Sequence, residues 1–260
     1  MKILPDNGLR KRLAGGQLTV GSWITLGHPA IAEIMAGSGF DWLTVDMEHS
    51  AITLDQAQQL IQVISLCGIV PLVRVGDNNP YLIKRVMDAG AYGVIVPMVN
   101  TREDAINAVH AVRYPPLGKR GVGLARAQGY GFDFERYREW CAGESVVVVQ
   151  IEHIEAINNL EEILAVEGVD GSMIGPYDLS GSLGIPGDFE APAVKEAMIR
   201  YEEICRNMGK NMGFHIVQPD PDMAKRYLAR GYTFLAVGLD TLFLGQHARR
   251  VVEALGACRT

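Results

Sequence analysis

The chain has 260 residues, of which 48% are hydrophobic and 21% charged, and carries a formal net charge of −6 at pH 7. That composition suits one large domain with a well-buried core. The acidic balance is spread along the chain and offers neither a nucleic-acid footprint nor a polybasic membrane anchor, so small molecules and copies of itself are the expected partners.

No apolar run approaches the length of a membrane span, and the start MKILPDNGLRKRL is broken by Pro5, Asp6 and Gly8, unlike a secretory signal. Cys67, Cys141, Cys205 and Cys258 are too scattered for a disulfide framework or a thiolate metal site. A cytoplasmic protein with reduced, mostly structural cysteines is expected.

Apolar runs rich in β-branched residues predict strands at Thr19 to Thr25, Trp42 to Val45, Val70 to Val75, Gly93 to Val96, Val146 to Ile151, Asp170 to Ile174, Met212 to Val217 and Phe234 to Val237. Helical spacing fills the gaps: Thr53 precedes LDQAQQLIQVI, Asn79 and Pro80 precede YLIKRVM, and Thr101 precedes REDAINAVHAV. Such alternation is what a (β/α)8 barrel needs, with an open doubly wound sheet as the competitor. The first strand leads into TLGHPA rather than a G-x-G-x-x-G turn, and there is no P-loop, which favours the barrel. Between Pro97 and Ser145 the chain exceeds one crossover helix, and RYPPLGKRGVGLARAQGYGFDF reads as an elaborated loop on the active face.

A barrel builds its active site at the C-terminal ends of its strands. Those positions hold Asp46, Glu48 and His49 after the second strand, Arg74 at the third, Gln150 and Glu152 at the fifth, Asp178 after the sixth, His215 at the seventh and Asp240 at the eighth. The run VVVVQIE ends a buried strand in charge, and Glu152 needs a partner. Glu152 and Asp178, on adjacent strands, can share one divalent cation, Mg²⁺ or Mn²⁺ first and Co²⁺ next. The alternative is a salt bridge from Glu152 to a rim arginine and a helix cap by Asp178. An Asp46 that orients His49 would make a general base, or the two could merely hydrogen-bond each other. Arg74 can face a substrate carboxylate or a developing oxyanion, or simply pair with Glu48 or Glu152. No lysine stands at a strand end, which argues against a Schiff-base aldolase.

The motifs FDWLTVDMEHS, PLVRV, VIVPMVNT, RYPPLGKRGVG, VVVQIE, VEGVDGSMIGPYDLS and FLAVGLDT, in this order and spacing from about Thr19 onward, resemble the HpcH/HpaI family of class II, metal-dependent pyruvate aldolases. The resemblance implies a TIM barrel of the phosphoenolpyruvate/pyruvate type, with a final helix at about 241–256 exchanged between subunits and hexamers built as trimers of dimers. It implies reversible cleavage of a 4-hydroxy-2-oxo acid to pyruvate and an aldehyde. Carried over by motif, Glu152 and Asp178 would be metal ligands, Arg74 the enolate stabiliser, and His49 with Asp46 the acid/base pair. Gln150 would hydrogen-bond near the metal, and the backbone around Gly175 and Asp178 would receive the pyruvate carboxylate. Tyr177 and His215 depart from the family pattern, and both bear on which aldehyde is accepted. A CoA-ester lyase of the citrate lyase β-subunit type, or a non-catalytic barrel serving as an assembly subunit, are the rival readings.

Overall fold

The computed structural model, which describes residues 8–256, closes the predicted strands into one parallel barrel. The strands are β1 (Thr19–Ile24), β2 (Trp42–Asp46), β3 (Val70–Arg74), β4 (Gly93–Val96), β5 (Val146–Ile151), β6 (Gly171–Ile174), β7 (Met212–Ile216) and β8 (Tyr232–Leu239). Each pairs with its neighbour in sequence, and β1 pairs with β8, which removes the open-sheet alternative. Cys258 and the opening MKILPDN fall outside the described residues; Cys67, Cys141 and Cys205 are free thiols.

Local chemistry starts the helices where the sequence predicts. Thr53 accepts from the Gln56 N–H while Gln56 Oε1 accepts from the Thr53 N–H at 2.9 Å, and Thr101 with Asp104 repeats this capping box. Asn79 Oδ1 accepts from Tyr81 N at 2.9 Å, with Pro80 in the first helical position. The helix Leu54–Leu66 then buries Ala57, Leu60, Ile61 and Ile64, one stripe at helical spacing, against the outside of the barrel.

A second core fills the inside. Trp42 stacks on Phe234 at 4.2 Å between ring centroids, and a Cβ at Gly21 would lie 2.1 Å from the Trp42 ring, so β1 needs glycine at this close approach. Fully burying an aromatic of this size contributes on the order of 2 to 3 kcal/mol. The N-terminal end of the barrel is plugged by the helix Leu9–Ala14, which buries Leu9 and Leu13 in this core and is tied down by Arg10 on Asp170 at 2.6 Å.

The long segment before β5 does not lie on the active face. After the helix Arg102–Val112, residues 113–145 cross the opposite, N-terminal end of the barrel: Arg120 donates to Asp88 at 2.5 Å, Arg126 donates to the Ala89 carbonyl at 3.0 Å, and Arg113 donates to the Ser145 carbonyl at 2.7 Å. The reason is chain direction. A crossover helix runs antiparallel to the strands and delivers the chain to their N-terminal ends, so an insertion between that helix and the next strand starts on the stability face.

Candidate active site

Barrel register brings Asp46 and Arg74 side by side, because they end β2 and β3 and are paired residues. Arg74 donates through Nε to Asp46 Oδ1 at 2.9 Å and through Nη2 to Asp46 Oδ2 at 2.7 Å, a two-pronged bond. Its third nitrogen, Nη1, lies 3.2 Å from Glu48 Oε2. Burial pushes the Asp46 carboxyl up, but the Arg74 hydrogen bond and charge outweigh it and hold Asp46 below its ordinary value.

Asp46 therefore does not orient the His49 imidazole. Its Oδ1 accepts from the backbone N–H groups of Glu48 at 3.0 Å and His49 at 3.3 Å, shaping the turn after β2. The His49 side chain is 68% exposed, and its nearest carboxylate is Glu48, with Nε2 3.8 Å from Oε2. Glu48 is the carboxylate beside His49, beyond hydrogen-bond reach, while the Asp46 oxygens are committed to Arg74 and the turn.

Glu152, just past β5, is buried with 3% exposure. Its Oε1 accepts from the Met98 N–H at 2.8 Å and its Oε2 from Gln150 Nε2 at 2.6 Å. Burial raises its pKa above the ordinary value, and the nearby Asp178 charge raises it further. Met98 escapes a sequence reading: with φ 51° it sits in the left-handed region, which costs a β-unbranched residue about 1 to 2 kcal/mol, and the reward is an N–H aimed at Glu152. Gly175, between β6 and the helix Pro176–Ser182, lets that helix come close, since a Cβ there would lie 3.1 Å from Glu152 Cβ and Oε2. Its own N–H is spent on the Ile151 carbonyl at 3.0 Å, so it is not a free donor for a carboxylate. Asp178 follows in the first turn of the same helix.

Gln150, Arg74, His49, Tyr177, Asp178 and His215 line one cavity of about 770 Å³. Trp23, another residue that sequence reading missed, lines it too, with the Arg74 guanidinium 4.3 Å above its ring and His215 5.2 Å away. Tyr177 is 62% exposed at the mouth and packs edge-on against Phe189. Asp240 is not in this cavity; it accepts from the Thr25 and Leu26 N–H groups and pins the loop after β1. Among the described residues no group of three or more His, Cys, Asp or Glu side chains converges as a metal site, so Glu152 and Asp178 would leave most coordination positions to other oxygens.

A parallel barrel with carboxylates, an anchored arginine and a histidine gathered at its C-terminal mouth has the layout of a barrel enzyme's active site. The chain belongs to the HpcH/HpaI aldolase/citrate lyase family, whose model matches residues 19–246, and it is an aldolase. It is 41% identical over 248 residues to a 2-keto-3-deoxy-L-rhamnonate aldolase of Klebsiella pneumoniae, covering 95% of this chain and 92% of that one. It is 42% identical over 245 residues to a 4-hydroxy-2-oxovalerate aldolase of Rhodococcus jostii, covering 93% of each. A crystal structure of an HpcH/HpaI aldolase/citrate lyase family protein from Burkholderia cenocepacia superposes with a TM-score of 0.90 at 33% identity, covering 96% of this chain and 99% of that one.

Proposed function

We propose that this aldolase cleaves a 4-hydroxy-2-oxo acid reversibly to pyruvate and an aldehyde, with Mg²⁺ or Mn²⁺ ahead of Co²⁺ held by Glu152 and Asp178. The observation that carries this reading is Glu152 itself. It is buried beside a second carboxylate and forms no salt bridge among the described residues, while both oxygens are aimed by Met98 and Gln150. A cation held by Glu152 and Asp178 would offset that burial. The surroundings fit one: Gln150 Oε1 is buried without a hydrogen-bond partner, and Gly175 leaves room that a Cβ would fill.

A divalent cation held there would supply Lewis-acid stabilisation of the negative charge that develops on the pyruvate fragment. Arg74, fixed from behind by Asp46, presents a second positive group at the same end of the cavity. His49, next to the Glu48 carboxylate, takes the proton of the C4 hydroxyl as the C3–C4 bond breaks and its electron pair passes to the pyruvate fragment. In the reverse direction the same imidazole returns the proton to the aldehyde oxygen.

The helix Asp240–Gly256 buries only Asp240 and exposes Leu244, Val251, Val252 and Leu255. This supports its exchange between subunits; the hexamer, a trimer of dimers, rests on the family resemblance alone. Release of pyruvate from a panel of 4-hydroxy-2-oxo acids, read with lactate dehydrogenase, tests the catalytic reading. Turnover is expected with added Mg²⁺ or Mn²⁺ and lost on chelation; silence with every substrate and metal would return the CoA-ester lyase and assembly-subunit readings.

A further inference from the structure

A second cavity lies on the outside of the barrel and shares no lining residue with the mouth. It has a volume of about 470 Å³, between the neighbouring helices Pro80–Asp88 and Arg102–Val112, with residues 119–121 as its third side. That is room for a small metabolite. The sequence explains why a groove forms there. Glu103, Ile106, Asn107, His110 and Ala111 repeat at helical spacing, so the stripe that lines the groove is largely polar where a packed seam would be apolar. The third side is fixed by the backbone: Lys119 N donates to the His110 carbonyl at 2.8 Å. A Cβ at Gly118 would lie 2.8 Å from that same oxygen, so glycine is what lets the chain come this close.

The groove gathers positive charge in a chain whose net charge is −6. Lys84 and Lys119 line it from two sides, and neither ammonium has an ion pair or hydrogen bond among the described residues. Lys84 is half-buried, with its Nζ 5.5 Å from the centroid of the Tyr81 ring in the groove wall. Arg120 lies buried below: its Nη2 is paired with Asp88 at 2.5 Å and its Nη1 with the Tyr137 hydroxyl at 3.0 Å, while its Nε has no acceptor among the described residues. The floor is short of acceptors as well as the rim. Two ammonium point charges, with the only arginine fork already committed, suit the spread oxygens of a phosphate better than a planar carboxylate. The remaining polar groups ask for hydroxyls. Asn107 donates through Nδ2 to the Asn78 carbonyl and Oδ1, both at 2.9 Å, so its own Oδ1 is left to accept, and Glu103 offers a carboxylate on the same helix.

We propose that this groove is a binding site for a small phosphorylated polyol, with the phosphate held by Lys84 and Lys119 and the hydroxyls by Asn107 and Glu103. The site stands apart from the aldolase reading, none of whose residues lines it.

Calorimetric titration of ribose 5-phosphate into the full-length protein, in phosphate-free buffer at about 0.15 M salt, tests it. One equivalent is expected to bind with a Kd below about 1 mM. Ribose alone and inorganic phosphate alone should each bind at least roughly tenfold more weakly, because each forfeits one set of contacts. Lys84→Gln and Lys119→Gln, both outside the core, each weaken ribose 5-phosphate by roughly tenfold, the scale of a hydrogen bond to a charged group. Lys195→Gln, in the barrel-mouth cavity, is the control and leaves the affinity unchanged. Absence of binding to the wild-type chain overturns the proposal. So does an affinity untouched by both groove variants, or one lost only in Lys195→Gln, since the ligand then sits elsewhere. Inorganic phosphate binding as tightly as ribose 5-phosphate would reduce the groove to an anion patch and overturn the polyol assignment.

Discussion

Arg74 reaches the cavity with its guanidinium already held, by two bonds to Asp46 and an ion pair to Glu48. The role proposed for it requires a planar fork that Asp46 and Glu48 can hold while it lines the cavity. A lysine ammonium is a point charge on a flexible stem and cannot do both. Arg74→Lys is expected to fold and to lose about 2 to 4 kcal/mol of transition-state stabilisation, the usual size for one oxyanion donor, read as kcat for pyruvate release. Near-normal turnover would show that the cation carries the charge alone. His215 makes a separate prediction, about stability. Its pKa of about 4 in the folded protein lies below the ordinary 6.5, so the folded state resists protonation. The contribution of neutral His215 is complete above pH 6.5 and is lost as pH falls from there toward 4, with Arg74 opposing the added charge and Asp46 favouring it. Between pH 7 and 4.5 the wild-type protein should lose about 2 to 3 kcal/mol more than His215→Leu in urea unfolding, from the same shift. Equal losses would show that the imidazole is no more sheltered in the folded chain than in the unfolded one.

At the scale of elements, what the sequence revealed was what is local. The capping boxes at Thr53 and Thr101 need only residues three apart, and every predicted strand falls within two residues of its observed bounds. The strand ends were equally legible, because β5 reads VVVVQIE and a charge after a buried run must sit at the mouth. What stayed hidden depends on register and approach. Nothing near Asp46 says that Arg74, 28 residues on, will take both its oxygens and leave His49 to Glu48. Nor does PMVN after β4 announce that Met98 will turn left-handed to serve Glu152, 54 residues away. The turn after β6 concentrates this dependence in one atom. A Cβ at Gly175 would press on Glu152 from 3.1 Å, and the φ of −109° carries no strain of its own, so the effect of Gly175→Ala is steric and falls on the carboxylate. The variant should fold with a loss of roughly 1 to 3 kcal/mol, the cost of a modest overpacking, and bind Mn²⁺ about tenfold more weakly in calorimetry because the ligand is displaced. Full affinity would show that Glu152 has slack or is not the ligand.

For the whole molecule, the open question is what covers the seam where a barrel's last helix belongs. In a closed (β/α)8 barrel the final helix packs between the first and the seventh of its crossover helices. Here the helix Pro221–Ala229 buries no residue, and Ile34 on the helix Pro29–Ala36 is 66% exposed. The helix Asp240–Gly256 keeps only its start on the barrel, through Asp240 and the Phe243 ring against Phe40, and carries Leu244, Val251, Val252 and Leu255 outward. One surface lacks a cover and one apolar helix lacks a surface. Under the exchange proposed above, an identical chain would supply both, each helix filling its partner's seam about a two-fold axis. If this is the subunit contact, charge on the helix should disperse the assembly without unfolding the barrel. The double variant Val252→Glu, Leu255→Glu lies near the far end of the helix, away from Asp240 and Phe243. Sedimentation is expected to show an oligomer for the wild-type chain and a smaller species for the variant, with circular dichroism preserved. An unchanged mass would place the contact elsewhere, and a monomeric wild-type chain would remove the exchange altogether.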